Sequence, residues 1–451
     1  MNQTIRYLFF TGLLTLALFL SPFGFISNAQ SSAEQEAAEI ASALDENQNR
    51  VLDDAEILNA IQMWILGEAL PDGKTIDDVS ILNLVQIWIT GESIRPPLMG
   101  DDFGDDDGGF TIVWGVAMGA LNYENGIDDA VNFDAVFSTT GVNRVCPNGA
   151  AVLRCQDVSA DTNDSRGVAV GNVGGHNALD LVFANGGEGR FNNRVCLNTT
   201  EDLGALAYTC SDISSDAVRS NGVALGDMDN NGTLDAVFAN AGQNHICLNN
   251  AGVFTCSNVS EDDTDSNGVA LGDMDGNGLF DIVFANSGKN RICLNNAGVF
   301  TCSDVSADDG VSNGVALGDM DFNGAIDIVF ANSLKNQVCL ENEGVFDCTE
   351  ISTDDSLSFG VALGDINKNG FIDAVFSNLN DNTWCRNDDA GGLTCEKLNG
   401  DNKPLRQSNG VALADVDENG SIDAAFAESE TDPWLCFNTA GTFGCLSGDI
   451  N

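Results

Sequence analysis

The chain has 451 residues, which is more than one simple core usually holds, so several domains or a repeat array are expected. Its 68 acidic and 18 basic residues exclude nucleic acid as a partner, because phosphate binding needs a basic surface. The acidity has two explanations, metal ligation and a solvated surface suited to salty surroundings, and we expect both.

The first 29 residues are typical of an export signal. Arg6 precedes an apolar run over residues 7–20, and small residues follow up to Ala29. We predict a signal peptide over residues 1–29, cleaved near Ala29, and a secreted mature protein. The alternative is an uncleaved anchor, but the apolar run is short for a bilayer span. No later apolar segment is long enough to cross a bilayer, so no membrane span is expected.

A small helical unit is predicted next, over residues 45–94, after a linker over residues 30–44. The stretch DDAEILNAIQMWILGE is echoed by DDVSILNLVQIWITGE, and each copy has an apolar helical face and a glycine where the helix should end. The loop before the first helix carries oxygen ligands at positions 1, 3, 5, 7, 9 and 12, in the spacing of an EF-hand calcium loop. These residues are Asp45, Asn47, Asn49, Val51 (through its carbonyl), Asp53 and Glu56.

This tandem loop–helix unit resembles a dockerin, which implies one calcium ion and docking onto a partner protein. Arg50 stands where an EF-hand loop usually has glycine, and the second loop, around ALPDGKTID, lacks the acids. Trp64 and Trp88 repeat on the two helices, either in a core or on a partner-binding face. Residues 95–109 are rich in Pro, Gly and Asp and are predicted to be a linker.

From residue 110 to residue 451 the chain is a repeat array with units of roughly 50 residues, a length that is typical of propeller blades. Four strands are expected in each unit, over residues 223–226, 235–239, 245–249 and 253–257 of the third repeat. The prediction is an all-β, seven-bladed propeller rather than a solenoid, because no capping repeat is evident at either end. The repeats start near Gly115, Gly167, Gly222, Gly268, Gly314, Gly360 and Gly410.

The 14 cysteines fall two to a repeat, which in an exported chain favours disulfides over free thiols. In CLNNAGVFTC, a two-residue turn at Ala251 and Gly252 places Cys247 directly opposite Cys256 on an antiparallel partner strand. Each blade is therefore expected to join its two outer strands by a disulfide. The expected pairs are Cys146/Cys155, Cys196/Cys210, Cys247/Cys256, Cys293/Cys302, Cys339/Cys348, Cys385/Cys395 and Cys436/Cys445.

Five repeats carry a loop with side-chain oxygens at positions 1, 3, 5 and 9, a glycine at position 6 and a usable backbone carbonyl at position 7. A hard cation such as calcium needs several oxygen ligands and a sharp turn of this kind. Without a metal the carboxylates would repel one another, so a plain surface turn does not explain them. In the third repeat the ligands are Asp227, Asp229, Asn231, Thr233 and Asp235.

About five calcium ions are therefore expected in the array. The other loops carry Asp273, Asp275, Asn277, Leu279 and Asp281; Asp319, Asp321, Asn323, Ala325 and Asp327; Asp365, Asn367, Asn369, Phe371 and Asp373; and Asp415, Asp417, Asn419, Ser421 and Asp423. The Asp365 loop has only two carboxylates and should bind more weakly. The second repeat, NVGGHNALD from Asn172, lacks most ligands and the first carries an insertion, so neither should bind calcium in the same way.

The pattern GVALGDxDxNGxxD resembles the FG-GAP/VCBS repeat, as in the propeller of integrin alpha subunits. The resemblance covers the seven repeats and implies a calcium-stabilised seven-bladed propeller with a binding or adhesion role. Only Phe359 and Gly360 spell the FG of the motif, no Gly-Ala-Pro follows, and paired cysteines are not a general mark of the family.

No nucleophile motif stands apart from the repeats, and the two histidines, His176 and His245, occupy variable repeat positions, so no enzyme activity is expected. The predicted function is calcium-dependent adhesion or binding of an extracellular glycan or protein. An extracellular scaffold, a lectin and a polysaccharide lyase are the alternatives. Contacts are expected at the rim opposite the calcium loops, where residues 186–191, 379–383 and 400–407 are irregular, with Arg190 and Phe191 as candidates.

Overall fold

The computed structural model describes residues 112–447 apart from short gaps. The gaps are residues 120, 122, 125–126, 129–133, 147, 150–151, 154, 176–177, 187–191, 201–205, 214–217, 308–309, 352–356, 389–391, 399–406, 418 and 430–432. The predictions for the signal peptide, the two linkers and the dockerin-like unit lie outside the described residues. In the part of the chain that is described, no helix combines the length and the apolar character that a membrane span requires.

The described residues form seven four-stranded antiparallel sheets, one for each repeat, which we call blades 1–7 in chain order. The inner strands are Val113–Gly119, Ser165–Gly171, Ser220–Gly226, Ser266–Gly272, Ser312–Gly318, Ser358–Gly364 and Ser408–Ala414. The second strands are Asp134–Thr139, Asp180–Asn185, Asp235–Asn240, Asp281–Asn286, Asp327–Asn332, Asp373–Asn378 and Asp423–Glu428. The all-β, seven-bladed propeller predicted from the repeats is confirmed.

The two outer positions of each sheet complete the blade. The third strands are Arg144–Cys146, Arg194–Asn198, His245–Asn250, Arg291–Asn296, Gln337–Asn342, Thr383–Asn387 and Trp434–Thr439. The outer strands are Gln156–Asp157, Tyr208–Asp212, Val253–Asn258, Val299–Asp304, Val345–Glu350, Leu393–Lys397 and Thr442–Ser447. Blade 1 also contains two short hairpins, Tyr123–Glu124 with Ile127–Asp128 and Asn148–Gly149 with Val152–Leu153.

The second strand is the buried centre of each blade. All six residues of Asp235–Asn240 are buried, as expected for a strand covered on both faces. Its phenylalanine packs against the preceding blade, so that each hydrophobic cluster contains side chains from two adjacent blades. These phenylalanines, nearly or fully buried, are Phe137, Phe183, Phe238, Phe284, Phe330, Phe376 and Phe426.

The inner strand is longer than the residues 223–226 predicted for it, because it begins at Ser220. The buried Ser220 hydroxyl donates a 2.6 Å hydrogen bond to Asn240 Oδ1, which holds the start of the inner strand against the end of the second strand. Adjacent inner strands approach closely: a Cβ on Gly167 would lie 3.1 Å from the Gly222 Cα. Glycine is needed there because any side chain would push the neighbouring blades apart.

The ring closes between blade 7 and blade 1 by packing and hydrogen bonding. The buried Asn409 amide donates a 2.7 Å hydrogen bond to the carbonyl of Val113. Val113 and Phe137 of blade 1 share a core cluster with Ala427 and Phe437 of blade 7. Every four-stranded sheet is built from strands of a single repeat, so closure depends on contacts between blades rather than on an exchanged strand.

The hairpin and disulfide predictions are confirmed. Ala251 and Gly252 have φ values of 50° and 86°, the positive pair that a tight type I′ turn requires. Cys247 lies directly opposite Cys256 in the ladder, and the two are bonded. All seven expected pairs form disulfides, which tie the exposed edge strand to its neighbour.

Candidate metal centres

The acidic loops all lie on one rim, where the inner strand of a blade turns into the second strand. In blade 3 this turn runs from Gly226 to Asp235, which face each other in the ladder. The glycine at position 6, Gly232, has a φ of 86°, and the residue at position 4, Asn230, has a φ of 57°. The glycine at position 6 thus supplies the left-handed backbone that the sharp turn needs.

Four of these loops bring three carboxylates together. In each, one oxygen from positions 1, 3 and 9 lies within 4.8 Å of the others, and only the position 9 carboxylate is buried. Acidic groups in these four blades could therefore hold a metal ion. The clusters are Asp227, Asp229 and Asp235; Asp273, Asp275 and Asp281; Asp319, Asp321 and Asp327; and Asp415, Asp417 and Asp423.

The buried aspartate at position 9 joins three parts of the blade. Asp235 accepts a 2.8 Å hydrogen bond from the Met228 N–H in the loop and a 2.7 Å bond from the Asn249 N–H on the third strand. Burial raises the pKa of Asp235, while these two hydrogen bonds oppose the rise. The position 9 pKa is also raised in the other four loops, at Asp281, Asp327, Asp373 and Asp423.

The aspartate at position 1 differs among the loops in a way that points to a cation. In blade 3 both Asp227 oxygens accept backbone hydrogen bonds, from Asn231 and Gly232. In blades 5 and 7, by contrast, one buried carboxylate oxygen, Asp319 Oδ1 or Asp415 Oδ1, has no hydrogen-bond partner. A buried unpaired carboxylate oxygen is costly, and a cation bound between the three carboxylates would satisfy it.

The asparagine at position 5 holds the loop against the third strand. Asn231 Nδ2 donates a 2.9 Å hydrogen bond to the Asn249 carbonyl, and Asn231 Oδ1 accepts a 2.8 Å bond from the Thr233 N–H. The side-chain oxygen at position 5 thus accepts a hydrogen bond within the loop. The same arrangement is present in the other acidic loops, at Asn277, Asn323, Asn369 and Asn419.

The remaining loops have fewer carboxylates. The Asp365 loop keeps the backbone geometry, since Asp365 accepts hydrogen bonds from Asn369 and Gly370, but its position 3 is the amide of Asn367. In blade 2 the position 9 aspartate, Asp180, is buried and accepts hydrogen bonds from the loop N–H groups. Asn172 occupies position 1 there and accepts from Gly175.

The opposite rim is described only in part. Arg190 and Phe191, the candidate contact residues, lie outside the described residues, as do residues 400–406. Leu379, which is exposed, begins the loop between the second and third strands of blade 6. His245 opens a third strand and has an ordinary ladder partner, Asn258.

Comparison with known proteins supports the repeat assignment. The sequence profile of the FG-GAP-like repeat matches residues 227–284 and 273–330, which confirms that the chain carries FG-GAP-like repeats. No curated protein sequence matches the chain.

The fold is similar to that of a lectin from Agrocybe aegerita, whose structure concerns specific recognition of non-reducing terminal N-acetylglucosamine. The TM-score is 0.52 at 18% identity, over 76% of this chain and 94% of the lectin chain. The Photorhabdus luminescens Tc holotoxin pore matches with a TM-score of 0.35 at 17% identity, over 62% of this chain and 14% of the toxin chain. BBS1N in complex with ARL6DN matches with a TM-score of 0.43 at 10% identity, over 74% and 93% of the two chains.

Proposed function

We propose that the chain is an extracellular, calcium-stabilised propeller that binds a glycan or protein ligand without chemical transformation, as an adhesion protein does. The observation that carries the calcium assignment is the set of four clusters, each with three carboxylates within 4.8 Å. The unpaired oxygens of Asp319 and Asp415 add to it. The donors are all oxygens, which favours a hard cation, and the loop supplies the spacing that calcium uses.

Export and ligand binding have separate support. Seven disulfides are typical of a protein that folds in an oxidising compartment, and the first 29 residues have the composition of a signal peptide. The propeller with FG-GAP-like repeats, and its likeness to a lectin fold, fit a ligand-binding role. The repeats account for most of the carboxylates, so no residue is proposed as catalytic.

Calcium titration of the full-length secreted protein tests this function. After dialysis against EDTA, isothermal titration calorimetry should show about five sites, with the weakest in the Asp365 loop. An Asp321→Asn variant should lose one tight site, because it removes a carboxylate from the blade 5 cluster. The matched control is Asp347→Asn on the outer strand of the same blade, which should leave the titration unchanged.

Thermal unfolding gives an independent readout. A site that is filled at 100 times its dissociation constant stabilises the fold by about 2.7 kcal/mol, so EDTA should lower the melting temperature clearly. A titration without heat, together with the same melting temperature in calcium and in EDTA, would contradict the proposed function.

A further inference from the structure

The inner strands surround an axial pocket near the rim opposite the acidic loops. It is a cavity of about 360 Å³, lined by residues from the first half of all seven inner strands. Pockets of this size, walled by the backbone and a few polar and aromatic groups, are suited to a small ligand or to one unit of a larger ligand. The pocket shares no residue with the acidic loops.

The lining of the pocket departs from the repeat sequence at one position of the inner strand. This position is the residue just before the Gly-Val pair of each inner strand. Four blades have asparagine there: Asn221, Asn267, Asn313 and Asn409. The other three blades have Trp114, Arg166 and Phe359. The substituted side chains are a cation and two aromatic rings, which are groups that recognise ligands. The blade fold does not require them, because four blades form with asparagine at this position.

Two guanidinium groups lie together on one side of this pocket. Arg166 lies over the Trp114 ring, with its guanidinium carbon 4.8 Å from the centroid, and it has an Asp164 oxygen at 3.7 Å. Burial and the nearby Arg219 lower the pKa of Arg166, while Asp164 opposes this. Arg219 also lines the pocket, and in the part of the chain that the structure describes no carboxylate lies within ion-pair distance of it.

Arg166 thus keeps a carboxylate partner, whereas Arg219 has none among the described residues, in a chain with a net charge of −50. Elsewhere, Arg194, Lys289 and Arg291 each pair with at least one carboxylate at 2.8 Å. A cation without a paired carboxylate at the entrance of a concave site attracts an anion and holds it by charge-assisted hydrogen bonds.

Three buried polar atoms around the pocket have no hydrogen-bond partner: Trp114 Nε1, Arg166 Nε and Asn221 Oδ1. The two nitrogens are donors and the oxygen is an acceptor. The Asn221 amide nitrogen is already used, since it donates to the Ser266 carbonyl at 2.9 Å, so its oxygen remains for a donor from outside. The pocket therefore calls for a ligand that combines an anion with hydroxyl donors.

We propose that the axial pocket binds the terminal acidic sugar of a glycan. The carboxylate is held by Arg219 and Arg166, a hydroxyl donates to Asn221 Oδ1, and an apolar sugar face packs near Phe359. An acidic peptide fits less well, because the pocket of about 360 Å³ admits one compact unit rather than an extended chain. This inference rests on the proposed ligand-binding function, and it names the ligand class and the site.

The test is isothermal titration calorimetry on the full-length protein in saturating calcium, with a glucuronate-terminated disaccharide as the probe. The same disaccharide ending in glucose is the matched ligand, since it lacks only the carboxylate. Arg219→Gln should weaken binding of the acidic disaccharide at least about tenfold, because a charge-assisted hydrogen bond is lost. Arg386→Gln, which removes a surface arginine paired with Asp388, should bind as the parent protein does.

Equal affinity for the acidic and the neutral disaccharide would overturn the inference, as would unchanged binding by Arg219→Gln. Binding of an acidic peptide that depends on Arg219, without binding of the disaccharide, would overturn the assignment to a sugar. Because Arg219 is exposed, its variant should fold; normal calcium titration of that variant shows that it does. Normal calcium binding without disaccharide binding would contradict this inference but not the calcium sites. Disaccharide binding without calcium binding would contradict the calcium sites alone.

Discussion

Asp423, at position 9 of the blade 7 loop, is a carboxyl group that is strongly affected by its surroundings. Its side chain is fully buried and accepts hydrogen bonds from the N–H groups of Val416 and Asn438. Burial raises the pKa of Asp423 from 3.8 to about 7, and Asp417 adds to the rise. Charge on this residue is therefore unfavourable unless a cation is present.

This shift predicts a pH dependence for the calcium-free protein. Between about pH 4 and pH 7 the folded protein holds a proton on Asp423 that the unfolded chain has released. The stabilisation from this proton is complete below the unfolded pKa and is lost as the pH rises through the folded pKa. In EDTA, the difference in melting temperature between the parent protein and Asp423→Asn should therefore change over this range.

Calcium supplies the control for this measurement. A bound cation stabilises the ionised carboxylate, so in excess calcium the parent protein should not lose stability over the same pH range. The same pH profile for the parent protein and Asp423→Asn in EDTA would contradict the assignment of the shift to this residue.

At the scale of a single loop, the Asp365 loop offers a direct test of how many carboxylates a site needs. It keeps the turn geometry of the other loops, since Lys368 and Gly370 have φ values of 59° and 89°, but it has an amide at position 3. We expect Asn367→Asp to tighten calcium binding at this loop, because it restores a third carboxylate. The measurement is the calcium titration by calorimetry.

The reciprocal change is Asp229→Asn, which gives the blade 3 loop the two carboxylates that blade 6 has. Asp229→Asn should weaken calcium binding at one loop, while Asn367→Asp strengthens it at another. Both variants keep all five acidic loops, so only the number of carboxylates differs. If Asn367→Asp does not alter calcium affinity, carboxylate count does not explain the difference between the loops.

The outer strand of each blade depends more on the blade's single disulfide than the third strand, which shares that bond, does. Val253–Asn258 alternates exposed and half-buried residues, whereas Asp235–Asn240 is buried throughout. A disulfide that spans nine residues is worth roughly 2.5 kcal/mol in the chain-entropy description. Replacing Cys247 and Cys256 together by serine should therefore loosen the outer strand of blade 3.

Hydrogen exchange measured by mass spectrometry would locate this change. Residues 253–258 should exchange faster in the double variant, while residues 235–240 keep their protection. The equivalent double variant at Cys293 and Cys302 should show the same effect one blade later. Loss of protection across the whole propeller would mean that the disulfide holds the ring together rather than the edge strand.

At the scale of the whole molecule, most of the fold could be predicted from the sequence, because the turns within each repeat determine the register of its strands. Two-residue turns such as Ala251–Gly252 determine which residues face each other in blades 3, 4, 5 and 7, and the disulfides of those four blades follow from them. The start of the inner strand at Ser220 was missed, because a polar residue begins a strand there only through its buried bond to Asn240.

The axial pocket could not be predicted from the sequence in the same way. Trp114, Arg166 and Arg219 belong to three different repeats, and the packing of neighbouring blades brings them to one cavity. The signal was present in the aligned repeats, as the positions where asparagine is replaced before Gly-Val. Interpreting this signal as a binding site depends on the buried nitrogens of Trp114 and Arg166 that have no hydrogen-bond partner, which a sequence does not show.

Ring closure leads to a prediction about folding kinetics. The hydrogen bond from Asn409 to Val113 joins residues 296 positions apart, whereas the equivalent bond from Asn267 to Ser312 spans 45 positions. Because contacts between distant residues are entropically costly to form early, the seam between blades 7 and 1 should form after the main folding barrier. Each variant, Asn409→Ala or Asn267→Ala, leaves a buried carbonyl unpaired and should cost about 1–3 kcal/mol.

For Asn409→Ala this cost should appear as faster unfolding with an almost unchanged refolding rate, since a contact absent from the transition state affects only the unfolding step. Stopped-flow unfolding and refolding in urea, with the disulfides intact and calcium present, measures both rates. Asn267→Ala is the matched control, because it removes the same type of bond between neighbouring blades. A slower refolding rate for Asn409→Ala would show instead that the ring closes before the barrier, and that the propeller folds around its seam.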